Sequence, residues 1–188
     1  MKFVNVHRRD IGAPAASVGR LIDTLATPAD RLWPHEVWPA MRFDRPGLPP
    51  GARGGHGPVA YRVRHHEPGR SITFEFLGRP RGLRGHHQFV VQATGVTSCV
   101  LWHLSDIDAS RPMTFTWAPF WGPLHDALIE DALDKALAVT AGQPWSPGQW
   151  PRHVQALRTL AGRFVGRPPN KTSATSQPRL RGLPSEYS

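Results

Sequence analysis

Histidine is the residue type in this chain with the widest scope for chemistry. There are ten histidines, and a neutral imidazole can accept a proton, donate a hydrogen bond or bind a metal ion near neutral pH. His65–His66 and His86–His87 are adjacent pairs in predicted strands, where neighbouring side chains point to opposite faces and cannot chelate one ion. The sequence also has no HxH, HExxH or zinc-type cysteine–histidine spacing. We therefore expect no metal site.

Two other histidines are the better candidates for acid–base chemistry. His125 lies at the edge of the apolar stripe of a predicted helix, and His56 lies in the glycine-rich turn GGHG. Either side chain would be able to exchange a proton with a molecule bound in a pocket, as would His103 on a predicted strand. Such histidines more often only hydrogen-bond to the backbone. Catalysis by His125 or His56 is therefore an alternative to simple binding.

A row of carboxylates follows the same predicted helix. Asp126, Glu130 and Asp134 recur every four residues, with Asp131 beside them, and residues at this spacing share one face of a helix. The row lies off the apolar stripe. We therefore predict a solvent-exposed face rather than a catalytic pair of carboxylates.

Motifs for nucleotides and cofactors are missing from the sequence. There is no GxGxxG, Walker A or GxSxG pattern, and GARGGHG lacks the strand-then-helix context of a phosphate-binding loop. We predict that GARGGHG is a turn leading into a strand, and we expect no cofactor. Cys99, the one cysteine, falls inside a hydrophobic strand pattern and is expected to be a buried thiol.

The longest amphipathic pattern in the chain begins at Pro123. Leu124, Leu128, Ala132 and Ala136 recur every four residues, which predicts a helix with one apolar face. The helix is expected to end at Gly142, which is followed by Gln143-Pro144. A helix of this length needs a surface to cover.

The rest of the sequence predicts that surface. Ala13-Pro14 begins a short helix, and the Pro- and Gly-rich segment 32–58, with two tryptophans, is expected to fold over the domain. Alternating apolar and polar residues separated by short turns predict an antiparallel meander. The predicted strands are 2–11, 59–67, 71–78, 83–94 and 97–108. The fold class is therefore α+β.

Charge divides the chain into parts. The net charge is +9 overall, but residues 1–142 hold 16 Lys and Arg against 13 Asp and Glu, whereas residues 143–188 hold seven against one. We predict a domain over 1–142, a basic extension with an amphipathic helix over 143–166, and a disordered tail over 167–188. With no apolar leader or membrane-length apolar run, we expect a cytoplasmic protein.

The order of elements and several local patterns resemble the START/Bet v 1-like (SRPBCC) superfamily, in particular its bacterial polyketide cyclase/dehydratase-like members. The resemblance covers about 3–142 and rests on RLWPHEVWPAMRFDRP, GGHGPVAYRV, EPGRSITFEF and WGPLHDALIEDALD. It implies a helix-grip fold, in which a curved antiparallel sheet wraps around the long C-terminal helix. It also implies a cavity between the two for apolar or amphipathic small molecules.

The resemblance directs attention to the large apolar residues of the predicted concave face, the loop and the helix. The expected ligand-binding residues are Trp33, Trp38, Phe74, Phe76, Phe89, Trp102, Trp121, Leu124, His125 and Leu128. The leading hypothesis is the binding of a small hydrophobic, aromatic or lipid-like molecule. A polyketide cyclase or dehydratase that uses a cavity histidine is the alternative.

A weaker alternative places function in the basic extension. Arg152, Arg158 and Arg163 lie near the apolar side of its predicted helix, an arrangement that would suit peripheral contact with an anionic membrane. Nucleic acid is not clearly indicated, because no RNA-binding motif is present. A helix that packs on its own domain explains the pattern equally well. The oligomeric state is not predicted.

Overall fold

The computed structural model describes the backbone of residues 1–164 and the side chains of residues 1–161. The strands are β1 Lys2–Ile11, β2 Arg42–Phe43, β3 Arg53–His56, β4 Val59–Glu67, β5 Ser71–Arg79, β6 Leu83–Gly95 and β7 Ser98–Ala109. The helices are α1 Ala15–Asp23, α2 Arg111–Thr116, a π-helical turn Trp117–Trp121, α3 Gly122–Thr140 and α4 Arg152–Phe164.

The seven strands form one antiparallel sheet in the order β1-β7-β6-β5-β4-β3-β2. Hairpins join each strand from β3 to β7 to the next. β1 forms the edge beside β7 and pairs with it from Lys2↔Asp108 to Ile11↔Cys99. β4 carries register shifts at Ala60/Tyr61 and Val63/His65. Such bulges bend a strand, and they help to curve the sheet.

The inner face of the sheet packs against α3. Phe74 and Phe89 are fully buried in one cluster with Leu128, Ile129 and Leu133 of the helix. The alternation that predicted the strands is the alternation of inward and outward side chains. The predicted helix-grip α+β fold is confirmed.

The entry to α3 differs from the sequence prediction. Helical structure begins at Arg111 rather than Pro123, and it continues through the π-helical turn that contains Pro119. Proline has no N–H to donate to the carbonyl four residues earlier, so the regular hydrogen-bond pattern is interrupted there. Trp117 and Trp121, at the two ends of this turn, are partly buried and pack on the core.

The GARGGHG segment was predicted to be a turn, which was wrong for its second half. Arg53–His56 is strand β3, paired with β2 and β4. A Cβ on Gly54 would lie 1.9 Å from the carbonyl oxygen of Arg42. Glycine is needed because the β2 backbone approaches so closely.

The C-terminal extension packs on the domain as far as the structure describes it. Val154 of α4 is buried, and Trp150 packs against the core. The predicted disordered tail, 167–188, lies outside the described residues, as do the last residues of the predicted extension. None of the helices that the structure describes is long and apolar enough to cross a membrane.

Candidate functional site

A cavity of about 1130 Å³ lies between the sheet and α3. Its walls come from the inner face of β4 to β7, the loop before β2, α2, the π-helical turn, α3 and one side of α4. Most of the lining is apolar, including Trp33, Trp38, Phe76, Leu83, Met113, Trp117, Trp121, Leu124 and Leu128. The volume is slightly above the range of about 300–1,000 Å³ for small-molecule pockets.

Most of the predicted site residues lie on this cavity. Those that line it are Trp33, Trp38, His56, Phe76, Trp121, Leu124, His125 and Leu128. Phe74 and Phe89 do not line it, because they are fully buried in the core beneath its wall. Whether the lining residues bind a ligand stays a prediction.

Trp102 was assigned to the concave face, and that assignment is wrong. Trp102 is partly exposed on the outer face, with the guanidinium of Arg8 5.5 Å from its ring centroid. The inward residues of β7 include His103 and Ser105, both fully buried. The alternating set that contains Trp102 is the more hydrophobic one, so hydrophobicity alone selected the wrong face.

Two histidines from neighbouring strands form the sheet side of the cavity, which we call the floor: His87 of β6 and His103 of β7. Their side chains are buried, and His87 Nδ1 lies 3.3 Å from His103 Nε2, close enough for one ring to donate to the other. Burial holds the pKa of both well below its ordinary value. Both rings are therefore neutral at pH 7.

The second ring nitrogen of each floor histidine is unused. His87 Nε2 and His103 Nδ1 are buried and have no hydrogen-bond partner among the residues that the structure describes. An unpartnered buried polar atom typically costs about 1–3 kcal/mol. Both residues line the cavity, but these two atoms are themselves buried, so a polar group that enters the cavity reaches them only when the neighbouring side chains shift.

His56 of β3 adds a third histidine to the lining of the cavity. Its Nδ1 lies 3.1 Å from the hydroxyl of Tyr61, and its ring centroid is 4.8 Å from that of Trp33. Burial lowers the pKa of His56 to about 3. Burial also raises the pKa of Tyr61, so the pair is neutral across the physiological range.

His125 projects from α3 into the cavity wall. Its ring centroid lies 5.3 Å from that of His103 and 5.9 Å from that of Trp117, and its Nδ1 is 3.5 Å from Asp126 Oδ1. Burial lowers the pKa of His125, and Asp126 offsets only part of that effect. The predicted candidate therefore faces the cavity rather than solvent.

The acidic row of α3 was predicted to be solvent-exposed, and in the structure its carboxylates are half exposed and also contact β1. Asp126 accepts a hydrogen bond from Asn5 Nδ2 (2.9 Å) and lies 3.2 Å from His7 Nε2, while Glu130 lies 2.6 Å from His7 Nδ1. Arg9 pairs with Glu130 at 2.6 Å and with Asp134 at 2.7 Å. The row packs α3 against β1, although its carboxylates stay half exposed.

Asp131 lies one residue off this row, and it is only 1% exposed. Its Oδ2 accepts hydrogen bonds from the indoles of Trp38 (2.7 Å) and Trp150 (3.0 Å), and its Oδ1 accepts one from the backbone N–H of Gly148 (2.9 Å). One carboxylate thus joins the loop before β2 and the C-terminal extension to α3.

Lys135, one turn further along α3, holds the same loop. Its buried Nζ donates to the carbonyl of Trp33 (2.7 Å) and to both carboxylate oxygens of Glu36 (2.8 and 3.0 Å). This lysine therefore fixes the position of Trp33, which forms part of the cavity wall.

We call the stack of Trp38, Arg158 and Trp150 the rim. The Arg158 guanidinium carbon lies 3.8 Å from the Trp150 ring centroid and 4.5 Å from that of Trp38, and the group donates to the carbonyl of Val37. Arg158 also lines the cavity. Of the arginines predicted to contact a membrane, Arg152 is exposed, Arg158 is in the stack, and the side chain of Arg163 lies outside the described residues.

The curved antiparallel sheet around a long helix, with a cavity between them, is the helix-grip fold that the local sequence patterns predicted. Solved structures share this fold at low sequence identity. Norcoclaurine synthase from Thalictrum flavum, in complex with dopamine and hydroxybenzaldehyde, is 16% identical, with a TM-score of 0.57 over 77% of this chain and 90% of the synthase.

Two bacterial structures are also similar. A protein from Thermobifida fusca is 15% identical, with a TM-score of 0.59 over 78% of this chain and 98% of its own. CalU16 from Micromonospora echinospora is 14% identical, with a TM-score of 0.53 over 86% and 85%. No protein-family model matches the chain, and no curated protein matches its sequence. At these identities the similarity extends to the fold alone.

Proposed function

We propose that this protein binds a small aromatic or otherwise largely apolar molecule that carries at least one polar group. The observation that carries the proposal is the pairing of a large apolar cavity with two floor histidines, His87 and His103, each of which has an unused ring nitrogen. The solved complex of norcoclaurine synthase with dopamine and hydroxybenzaldehyde supports it by analogy, since that protein takes small polar aromatics on the same fold.

The lining supplies the affinity. Burying apolar surface contributes about 25 cal/mol per Å², and aromatic rings gain further from the tilted ring contacts that Trp33, Trp117 and Trp121 can offer. A planar aromatic molecule gains affinity both from apolar burial and from ring contacts. A long flexible chain would use the first but would lose conformational freedom on entry.

The floor supplies the selectivity. A hydroxyl that reaches His87 Nε2 or His103 Nδ1 satisfies an atom that otherwise stays buried without a partner. The gain is expected to be about 1 kcal/mol or more, because a new hydrogen bond replaces an unmet desolvation cost. A matched molecule without the hydroxyl would not obtain it.

Calorimetric titration with 2-naphthol and naphthalene tests this proposal directly. We expect 2-naphthol to bind with one molecule per chain, to raise the melting temperature, and to bind about tenfold more tightly than naphthalene. A dodecanoate titration identifies a lipid-like preference. Equal affinity for 2-naphthol and naphthalene would contradict the role of the floor, and no binding of any of the three would contradict the proposal.

A pair of variants on α3 shows whether the binding occurs in the cavity. Leu124 lines the cavity, whereas Leu137 of the same helix is 38% exposed. We expect Leu124→Trp to fill part of the cavity and reduce 2-naphthol affinity at least tenfold, while Leu137→Trp leaves affinity unchanged. Binding that survives Leu124→Trp would place the ligand elsewhere.

Catalysis by a cavity histidine, with His56 or His125 as the base, is the second candidate. The favouring observation is that both residues line the cavity. Against it, a pKa of about 3 makes His56 a weak proton acceptor at pH 7. Incubation with a poly-β-ketone thioester checks for turnover: cyclised products that disappear in His56→Gln would favour an enzyme, and their absence would favour a binding protein.

Peripheral contact with an anionic membrane through the C-terminal extension stays a prediction. It would depend on the exposed Arg152 and on residues outside the described region, because Arg158 is engaged in the rim. Truncation after Gly142 separates the possibilities, since sedimentation with anionic vesicles that survives truncation does not come from the extension.

A further inference from the structure

We propose that His7, His125 and Asp126 form a binding site for a divalent transition-metal ion, zinc in the first instance, at the wall of the cavity. The three residues come from β1 and α3, and one ligand atom of each lies within 4.8 Å of the others. Because the two histidines are far apart in sequence, no spacing motif reveals the site.

The distances match a metal centre. His7 Nε2 lies 3.2 Å and His125 Nδ1 lies 3.5 Å from the same carboxylate oxygen, Asp126 Oδ1. With zinc–ligand bonds of about 2.0–2.1 Å, neighbouring ligand atoms in a tetrahedral site are about 3.3 Å apart. The two distances to Asp126 Oδ1 therefore need adjustments of only a few tenths of an ångström, while the ligand nitrogens of His7 and His125 lie within 4.8 Å of each other.

The surroundings of His7 resemble a second coordination sphere. Its other ring nitrogen, Nδ1, lies 2.6 Å from Glu130 Oε1. Metal-bound histidines commonly donate their second N–H to a carboxylate, which fixes the tautomer that presents Nε2 to the ion. Asn5 Nδ2 holds Asp126 in the same way, at 2.9 Å from Oδ1.

A simple ion pair accounts for His7 but not for His125. A protonated His7 would use both of its nitrogens on the two carboxylates. His125 Nδ1, by contrast, is buried without a hydrogen-bond partner among the residues that the structure describes. A metal ion bound by His7 and Asp126 would also accept the lone pair of His125 Nδ1.

The ligand set selects the kind of ion. Two imidazoles and one carboxylate suit zinc and neighbouring transition metals, whereas magnesium and calcium prefer oxygen ligands. Three protein ligands leave a fourth position open, as in catalytic zinc sites. Since His125 lines the cavity, the ion would lie beside the cavity's occupant, and His125 would be unavailable as a proton acceptor.

The test is a metal titration of the full chain, purified without a polyhistidine tag and stripped with chelator. We expect one Zn²⁺ per chain with micromolar or tighter affinity, and no heat with Mg²⁺. Co²⁺ is expected to give the strong visible absorption of a four-coordinate site. Because this titration is made without 2-naphthol, its result is independent of the proposed function.

Variants assign the site to its residues. His125→Ala and His7→Gln are each expected to weaken Zn²⁺ binding at least a hundredfold, and Glu130→Gln about tenfold, as for other outer partners. His66→Gln is the matched control, because His66 Nε2 also contacts a carboxylate, Asp23 Oδ1 at 3.1 Å, but away from the cluster. It is expected to bind Zn²⁺ as the wild type does.

Several results would overturn the proposal. They are an absence of Zn²⁺ binding below millimolar concentration, binding that His125→Ala leaves intact, and binding that His66→Gln removes. Circular-dichroism melts of each variant show that it is folded. If His7→Gln does not fold, His125→Ala decides the question, because its side chain contributes to the wall rather than to the β1 ion pairs.

Discussion

The floor and the rim of the cavity are built in opposite ways. The floor, His87 and His103, belongs to two long adjacent strands and holds neutral groups with unused nitrogens. The rim, Trp38, Arg158 and Trp150, is assembled from a loop and a C-terminal extension, and its polar groups are nearly all paired through Asp131 and Val37. Polar groups at the floor are thus left without partners, whereas those at the rim hold the protein together.

The difference has an energetic basis. Strand hydrogen bonds and the core beneath fix the floor, so it can carry the cost of unpaired polar atoms at about 1–3 kcal/mol each. The rim has no regular backbone framework before α4, so side-chain hydrogen bonds must hold it. Mutations should therefore affect stability and affinity differently in the two regions.

The largest expected effect is in the core beneath the floor. Phe89 is fully buried, and its ring centroid lies 4.8 Å from that of His103. We expect Phe89→Ala to lower the free energy of unfolding by about 3–5 kcal/mol, because it removes a buried ring and leaves a cavity. Urea denaturation measures this, and a loss below about 1 kcal/mol would mean that the floor is not supported by a packed core.

A smaller loss is expected at the carboxylate that holds the rim. Asp131→Ala removes the acceptor of the indole N–H groups of Trp38 and Trp150, and we expect it to cost about 2–3 kcal/mol. Proteolysis should also reach the extension more readily. Asp134→Ala, at a half-exposed site on the same helix, is the control and should cost less than about 1 kcal/mol. Equal losses in the two variants would remove the special role of Asp131.

We expect acid to lower the folding stability of the chain through His56 in the cavity wall. Its pKa is about 3 in the folded chain, against an ordinary value of 6.5. Between pH 3 and pH 6.5, the unfolded chain therefore carries a proton on this histidine that the folded chain does not. Stability from this group is fully present above pH 6.5 and is lost as the pH falls towards 3, by at most about 1.4 kcal/mol per pH unit.

The comparison of wild type with His56→Gln isolates this contribution, since the titratable neighbours Tyr61, His87 and His125 are present in both proteins. We expect the wild type to lose about 2–2.5 kcal/mol more than the variant between pH 6 and pH 4 in chemical denaturation. Parallel pH profiles would show that His56 is not held neutral by burial.

The smallest effect is expected at the arginine of the rim. Arg158→Ala removes a guanidinium that packs against two indoles, and we expect a loss of about 0.5–1 kcal/mol together with faster release of 2-naphthol. Arg152→Ala, at an exposed position of the same helix, should change neither quantity. Stopped-flow dissociation and thermal melts measure both variants, and equal behaviour would argue against a rim that restricts exit.

Regular elements were largely predictable from the sequence, because side-chain alternation and helical periodicity are local signals. The strands from Val59 to Ala109 and the core of α3 were predicted within a few residues. β3 and the π-helical turn were missed. β3 depends on the close approach of the β2 backbone to Gly54, and the turn contains a proline inside a helix. These are tertiary effects that a periodicity does not record.

The site was only partly predictable, for a related reason. Large apolar lining residues such as Leu124 carry a pattern signal, but the more hydrophobic Trp102 was placed on the concave face, where the structure has its neighbour His103. His7 could not be connected with His125, because contacts between β1 and α3 arise only in the folded chain. A buried histidine in an otherwise apolar strand is the signal that could have identified the floor.

A crystal structure of the 2-naphthol complex tests the central claim most directly. We expect the ring system to lie between the sheet and α3, with its hydroxyl oxygen within about 3.2 Å of His87 Nε2 or His103 Nδ1. A ring bound outside the rim or on the outer face near Trp102, or a hydroxyl turned away from both histidines, would contradict it.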